Sequence, residues 1–168
     1  MIEIIKAKKE DVKGIVKVCR EAQWATYREL YSKDYIEHII QTYYTEERVL
    51  KEVLETSFEW GGWFVAIDEG EIVGACGGGM INEKESEIYV LYLKPNRRNE
   101  GIGSKLLEAV TKQQVELGAT KQWVSVAKGN EKGIPFYEAR GFTFQREEDS
   151  YEKMDGEFYT SLRYFRPI

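Results

Sequence analysis

The hydrophobic pattern changes period several times along the chain. Residues 2–6 alternate apolar and polar positions, as a strand at a sheet edge does. Val12, Ile15, Val16 and Cys19 then recur at i, i+3, i+4 and i+7, which is one face of a helix. Ser32-Lys33-Asp34 has the composition of an N-terminal cap before a helix over residues 35–43. Thr45-Glu46-Glu47 caps a further helix carrying Val49, Leu50, Val53 and Leu54, with acids in the first turn where the helix dipole favours them. Gly61-Gly62 breaks that helix. Residues 63–67 read as a strand, Glu69-Gly70 as a turn, and residues 72–80 as the hairpin partner. Within that partner, Gly74-Ala75-Cys76-Gly77-Gly78-Gly79 is weak as an ordinary strand and marks a bulge or a close backbone approach, a structural rather than a functional role.

Residues 87–93 form a β-branched, aromatic and aliphatic strand that stops before Pro95. Gly101-Ile102-Gly103 opens a long helix reaching Gly118, and residues 123–127 make another buried strand. A short helix over residues 134–140 ends at Gly141, and residues 142–146 and 158–164 close the chain as two strands. The order is roughly β-α-α-β-β-β-α-β-α-β-β. Early hairpins followed by strand-helix-strand units predict an α/β fold with a mixed sheet and helices on its faces.

A chain of 168 residues, 42% hydrophobic and 32% charged, is the size and composition of one globular domain spanning residues 1–168. Its net charge of −5 argues against nonspecific nucleic-acid binding, which needs a basic surface to displace phosphate counterions. The apolar run at residues 63–67 falls far short of the ~20 residues a membrane span requires. The first ten residues lack the apolar segment of a secretion signal. Cys19 and Cys76 stand outside any paired-ligand spacing, so no disulfide framework is expected and the cytoplasm is the expected compartment. His38 is the lone histidine, which leaves no metal site and no Ser-His-Asp triad to propose.

The chemistry concentrates after residue 91. In Tyr92-Leu93-Lys94-Pro95-Asn96-Arg97-Arg98-Asn99-Glu100-Gly101-Ile102-Gly103-Ser104 a strand feeds a glycine turn that opens onto a helix N-terminus. Unpaired amides and the helix dipole there favour a phosphate, to which Arg97 or Arg98 can add charge. A Walker loop fails, because Ser104 separates Gly103 from Lys105. A dinucleotide fingerprint fails, because Leu106 stands where a third small residue is needed. What remains is Arg98-x-x-Gly101-x-Gly103.

That motif resembles the pyrophosphate signature of the GCN5-related N-acetyltransferase (GNAT) superfamily, Gln/Arg-x-x-Gly-x-Gly/Ala. The superfamily's second signature is matched downstream by Asn130-Glu131-Lys132-Gly133-Ile134-Pro135-Phe136-Tyr137-Glu138-Ala139-Arg140-Gly141-Phe142. The resemblance implies a mostly antiparallel twisted sheet of about seven strands with helices on both faces. It implies acetyl-CoA as co-substrate and direct transfer of its acetyl group to an amine, with no metal. By that resemblance the amides of Arg98, Asn99, Glu100, Gly101, Ile102, Gly103 and Ser104 would hold the pyrophosphate. The backbone of Leu91 and Leu93 would pair with the pantetheine arm, Asn130 would fix the arm, and Tyr137 would protonate the departing thiolate. Three residues depart from the usual pattern: Glu100 is acidic beside a polyanion, Gly133 replaces an alanine, and Pro135 lacks a backbone donor.

A lysine-type amine titrates near ~10.4, so making it nucleophilic at pH 7 costs about 4–5 kcal/mol and calls for a base. Glu87 is the candidate. Period two puts it on the face of Leu91 and Leu93, with Tyr89 beside it to order a water. It also matches a strand position where several family members carry a catalytic glutamate. The helices after the first strand border the acceptor pocket in this superfamily. Trp24, Tyr27 and Tyr31 are therefore candidate acceptor contacts, with Glu29, Asp34 or Glu37 as counter-charges, although these rings also suit a core. The acidic, aromatic N-terminal half loosely resembles polyamine and small-amine acetyltransferases. Protein N-termini, ribosomal ones included, are the rival acceptors, and a non-catalytic CoA-binding module is the rival outside enzymology. A monomer or a homodimer suits the sequence equally.

Overall fold

The computed structural model describes residues 1–168. Strand β1 (Ile2–Lys6) leads into helices α1 (Val12–Tyr27), α2 (Lys33–Tyr43) and α3 (Glu46–Leu54). Strands β2 (Trp63–Asp68), β3 (Glu71–Met80) and β4 (Glu85–Leu93) follow, then α4 (Ile102–Glu116), β5 (Lys121–Ala127) and α5 (Gly133–Glu138). Strands β6 (Thr143–Asp149) and β7 (Thr160–Pro167) complete the chain.

The seven strands form one sheet in the order β1-β2-β3-β4-β5-β7-β6. Only β4 and β5 run parallel; every other neighbouring pair is antiparallel. This is the mixed, mostly antiparallel sheet that was expected. Both faces are covered. Helix α4 buries Ile102, Leu106, Leu107 and Val110 against Ile88, Val124, Val126 and Tyr164. On the other face α1 and α3 pack Ile15, Val16, Cys19 and Val49 against Trp63, Val65 and Ala75. The two caps read from the sequence form: the Ser32 hydroxyl accepts from Tyr35 N at 3.1 Å, and that of Thr45 from Arg48 N at 3.2 Å.

Several expected boundaries shift. The three helices read from the pattern between β1 and β2 all form, one more than the condensed element order counts. Helix α3 stops at Leu54, well before Gly61, because Trp60 folds back to give its indole N–H to Glu52 O at 2.8 Å. Strand β6 runs to Asp149 and β7 starts at Thr160; β6 is exposed throughout, so its sequence carries no alternation to mark its end.

The glycine run in β3 fulfils its structural reading. The β3–β4 register slips between Gly77 and Gly78, leaving Tyr89 as an extra residue of β4, a β-bulge. A Cβ at Gly78 would run into Glu87 O, and one at Gly79 into Glu59 O. Gly79→Ala is expected to destabilise the fold by about 3 kcal/mol, read as a lower urea midpoint at unchanged slope.

The segment between β6 and β7 is strapped onto α2. The Glu152 carboxylate accepts from the Tyr43 hydroxyl and contacts His38 Nε2, both at 2.6 Å, while Tyr35 donates to Glu152 O at 2.7 Å. The Tyr43 hydrogen bond, then His38, holds the Glu152 carboxyl below its ordinary range. A depressed folded value means that this contact stabilises fully above the ordinary carboxylate pKa, about 4.3, and fades as pH falls through the folded value. The Tyr35 and Tyr43 ring resonances are expected to move together on acidification below about pH 4, and to lose that step in Glu152→Gln.

Candidate active site

The site begins where β4 and β5 part. They pair only from Glu85↔Lys121 to Ile88↔Val124; beyond the Tyr89 bulge no ladder joins them. Buried amides fix the closed end of this fork. Gln114 donates to Glu87 O and Gln122 donates to Gln114, each at 2.9 Å. Above the fork one edge of β4 is free. Lys94 N donates to Val73 O on β3, so alternation turns the N–H and C=O of Leu93 and Leu91 away from β3, toward the gap. An extended amide-bearing chain can add there as a strand does.

A cavity of about 500 Å³ fills the gap. Its wall brings together Leu91, Leu93, Arg98, Asn99, Gly101, Ile102, Gly103, Ser104, Asn130, Tyr137 and Tyr27. At its outer end stands the N-terminus of α4. Asn99 and Gly101 both take positive φ, 65° and 80°, which turns successive amides inward. No acceptor in the protein takes the amides of residues 98–104, although Ile102 is fully buried; the first bond of this turn is Lys105 N to Gly101 O. A row of unpaired donors at a helix N-terminus, two of them on the buried Ile102 and Gly103, is a cradle suited to phosphate. A Cβ at Gly103 would meet Phe136 Cε1 at 3.0 Å, so any side chain here requires the Phe136 ring to give way.

The charges around the cradle sort themselves. Arg97 is committed to Asp68 at 2.7 Å and to Glu100 at 2.8 Å. That pairing also draws the Glu100 side chain off the cavity wall and holds its carboxyl low, which removes the conflict of an acid beside a polyanion. Arg98 lines the cavity and is engaged in no ion pair. Arg140, which the sequence reading passed over, lines it as well: its guanidinium hydrogen-bonds Ser104 Oγ, donates to Phe136 O at 2.7 Å and lies 3.8 Å from the Phe136 ring centre. The missed signal was its place four residues after Phe136, in the turn just past the end of α5.

Asn130 caps the turn into α5, its Oδ1 accepting from Gly133 N at 2.9 Å. A Cβ on residue 133 would stand 2.6 Å from Asn130 Nδ2, which accounts for the glycine in place of alanine. The cap leaves the Asn130 amide nitrogen free at the cavity wall. Deeper in, Tyr137 is 8% exposed and its hydroxyl makes no hydrogen bond within the protein. Burial first, then Cys76 and Tyr27, pushes the phenol well above its ordinary pKa, so it stays protonated. Burial likewise pushes the Cys76 thiol up, which leaves it inert as a nucleophile.

The expectation for Glu87 needs correcting. The bulge at Tyr89 breaks the period of two: Ile88 shares the α4 face with Leu91 and Leu93, so Glu87 points to the opposite face. There Arg163 grips both carboxylate oxygens, at 2.7 and 2.8 Å. Glu87 does not line the cavity, whereas Tyr89 does. Trp24 and Tyr31 do not reach its wall either. Tyr31 instead stacks on Tyr27 at 4.9 Å and packs against Tyr35 and Tyr159. Glu29, Asp34 and Glu37 are exposed outside the cavity; the acids that meet the aromatic cluster are Glu152 and Glu157. Both lie beyond residue 149, so only the tertiary fold brings them to α2.

Comparison with known proteins agrees with this geometry. Residues 19–142 match the model of the acetyltransferase (GNAT) family. The chain is 32% identical over 142 residues to a spermidine N(1)-acetyltransferase of Thermoplasma acidophilum, covering 84% of this chain and 88% of the relative. An uncharacterised N-acetyltransferase of Archaeoglobus fulgidus is 31% identical over 81% of this chain and 89% of its own length. Among solved structures, the PaiA N-acetyltransferase of T. acidophilum in complex with coenzyme A superposes with a TM-score of 0.83 at 27% identity, covering 100% of this chain and 99% of that one.

Proposed function

Because this chain belongs to the acetyltransferase (GNAT) family and is an N-acetyltransferase, we propose that it acetylates a primary amine of a small cationic molecule, a polyamine above all. The observation that carries the chemistry is the Tyr137 hydroxyl inside the β4–β5 fork: its ring is buried, while the protonated hydroxyl bonds to nothing in the protein and is open to the cavity. The acceptor class is supported by similarity to the spermidine enzyme and by a net charge of −5. The structure of a relative with coenzyme A and the empty-handed amides of residues 98–104 support acetyl-CoA as the donor. No grouping of metal ligands is present.

Bound acetyl-CoA supplies an activated thioester: the amine nitrogen bonds to the carbonyl carbon, the carbon–sulfur bond breaks, and the sulfur leaves as a thiolate. In the reading advanced here, the amides of residues 98–104 with Arg98 and Arg140 hold the pyrophosphate. The outward edge of Leu91 and Leu93, with Asn130, orients the arm. Tyr137 gives its proton to the sulfur and regains one as the amine's proton leaves through solvent. Glu87 acts as base through water from beyond the cavity wall, with Arg163 setting its orientation. Two unpaired buried cysteines, Cys19 and Cys76, fit a reducing cytoplasm, and the chain works as one domain.

Thiol release from acetyl-CoA, measured against spermidine, amino acids, aminoglycosides and short peptides, ranks the acceptors. The highest kcat/KM is expected for spermidine. A peptide N-terminus outranking every small amine would replace this reading with the protein-directed one.

A further inference from the structure

The N-terminal half of the cavity wall holds a chain of three polar groups, the buried Gln23 and the half-buried Tyr92 and Tyr27, that the reaction above does not use. Gln23 Nε2 donates to the Tyr92 hydroxyl at 2.7 Å, and the Tyr92 and Tyr27 hydroxyls stand 3.2 Å apart. Gln23 is 2% exposed. An amide nitrogen only donates, so Tyr92 oxygen is an acceptor toward Gln23 and must dispose of its own proton elsewhere. Tyr27 is the acceptor within hydrogen-bond distance. Donation to that partner runs the chain from Gln23 to Tyr92 to Tyr27. The Tyr27 proton is left over, on a side chain that lines the cavity. Burial raises the Tyr27 pKa, so that proton is retained.

Tyr27 and Tyr137 reach the same cavity from opposite faces of the sheet, through the fork between β4 and β5. They are near enough for Tyr27 to raise the cost of ionising Tyr137. Two donors therefore face the cavity in which the reading above places the reacting centre. That centre offers two acceptors: the sulfur and the carbonyl oxygen of the thioester. The amine nitrogen offers none, because its lone pair forms the new bond. With sulfur served by Tyr137, the carbonyl oxygen is left for Tyr27.

We propose that Tyr27 is a catalytic hydrogen-bond donor to the acetyl carbonyl oxygen, held in donor orientation by the Gln23–Tyr92 relay. The proposal requires acetyl-CoA to bind in this cleft but is independent of which amine accepts. Tyr27 polarises the carbonyl as it is attacked and stabilises the charge gathering on oxygen, with no proton transferred and no bond to the protein formed. Tyr92 and Gln23 are positioning residues.

The test is isotope-edited infrared spectroscopy of carbonyl-labelled acetyl-CoA on the purified protein, which needs no acceptor. Tyr27→Phe is expected to move the bound carbonyl band to higher frequency, with the acetyl-CoA Kd and the melting temperature little changed. Tyr92→Phe frees Tyr27 to rotate and is expected to give a smaller shift in the same direction. With spermidine as acceptor, Tyr27→Phe lowers kcat by about 10²-fold, and adding Tyr92→Phe to it lowers kcat no further. A carbonyl band that stays in place in Tyr27→Phe while acetyl-CoA remains bound overturns the proposal. So does a double variant whose two losses multiply. If Tyr27→Phe fails to fold, the Tyr92→Phe band decides alone: a shift supports the relay and no shift overturns it. Failure of the polyamine reading would show only in the acceptor ranking and would leave the carbonyl band as predicted here.

Discussion

Gly103→Val is expected to abolish measurable binding of acetyl-CoA while leaving the chain folded. Two effects act together. A Cβ at this position already meets Phe136 at 3.0 Å, so a branched side chain must displace Phe136 and, with it, Arg140, which lies over that ring. The same side chain takes space beside Phe136 and Leu93 in the wall of the cavity whose free amides an anion would fill. A phosphate held by several charge-assisted hydrogen bonds of about 1.5–3 kcal/mol each loses at least two of them. That corresponds to a Kd raised by roughly 10²- to 10⁴-fold. The fold should tolerate the change, because α4 buries its main apolar face further along, at Leu106, Leu107 and Val110. Calorimetric titration with coenzyme A beside a thermal melt separates the two effects. A variant that binds coenzyme A normally would remove the α4 N-terminus from the site.

Tyr137→Phe is expected to lower kcat by roughly 10²- to 10³-fold, the range in which a positioned acid contributes. The phenol has the attributes of a donor: it is buried, bonded to nothing in the protein, and kept protonated by its surroundings. Phenylalanine keeps the ring contacts with Phe136 and Phe142, at 5.1 and 5.3 Å between centroids, so packing is retained. The loss should therefore fall on kcat, with acetyl-CoA affinity and melting temperature close to those of the parent. Equal losses in kcat and in affinity would assign the hydroxyl to binding instead of proton transfer.

Much of the fold was legible because the chain punctuates itself. Gly70, Gly101, Gly118 and Gly141 all stand at turns with positive φ, and the caps at Ser32 and Thr45 form as written. The cradle was legible because its donors are consecutive amides, which a local motif specifies. Glu87 was misplaced for the opposite reason. Its direction depends on a bulge created where Gly78 lets two strands touch, and one extra residue reverses every side chain beyond it. Arg140, Glu152 and Glu157 were missed because their partners, Ser104, His38, Tyr43 and Ser32, lie 36 to 125 positions away. Trp24 was chosen for its residue type and its place on the helices after the first strand; neither says which way a side chain leaves a helix, and α1 turns only its end, at Thr26 and Tyr27, toward the cavity.

The central claim is that this fork transfers an acetyl group to a cationic small amine with Tyr137 as the proton donor. The most direct measurement is product stoichiometry in a single reaction of purified protein, acetyl-CoA and spermidine. Free thiol and N-acetylated spermidine are expected to appear in equal amounts, and both are expected to fall together in Tyr137→Phe. Thiol released without acetylated amine, or equal product from Tyr137→Phe, would contradict it.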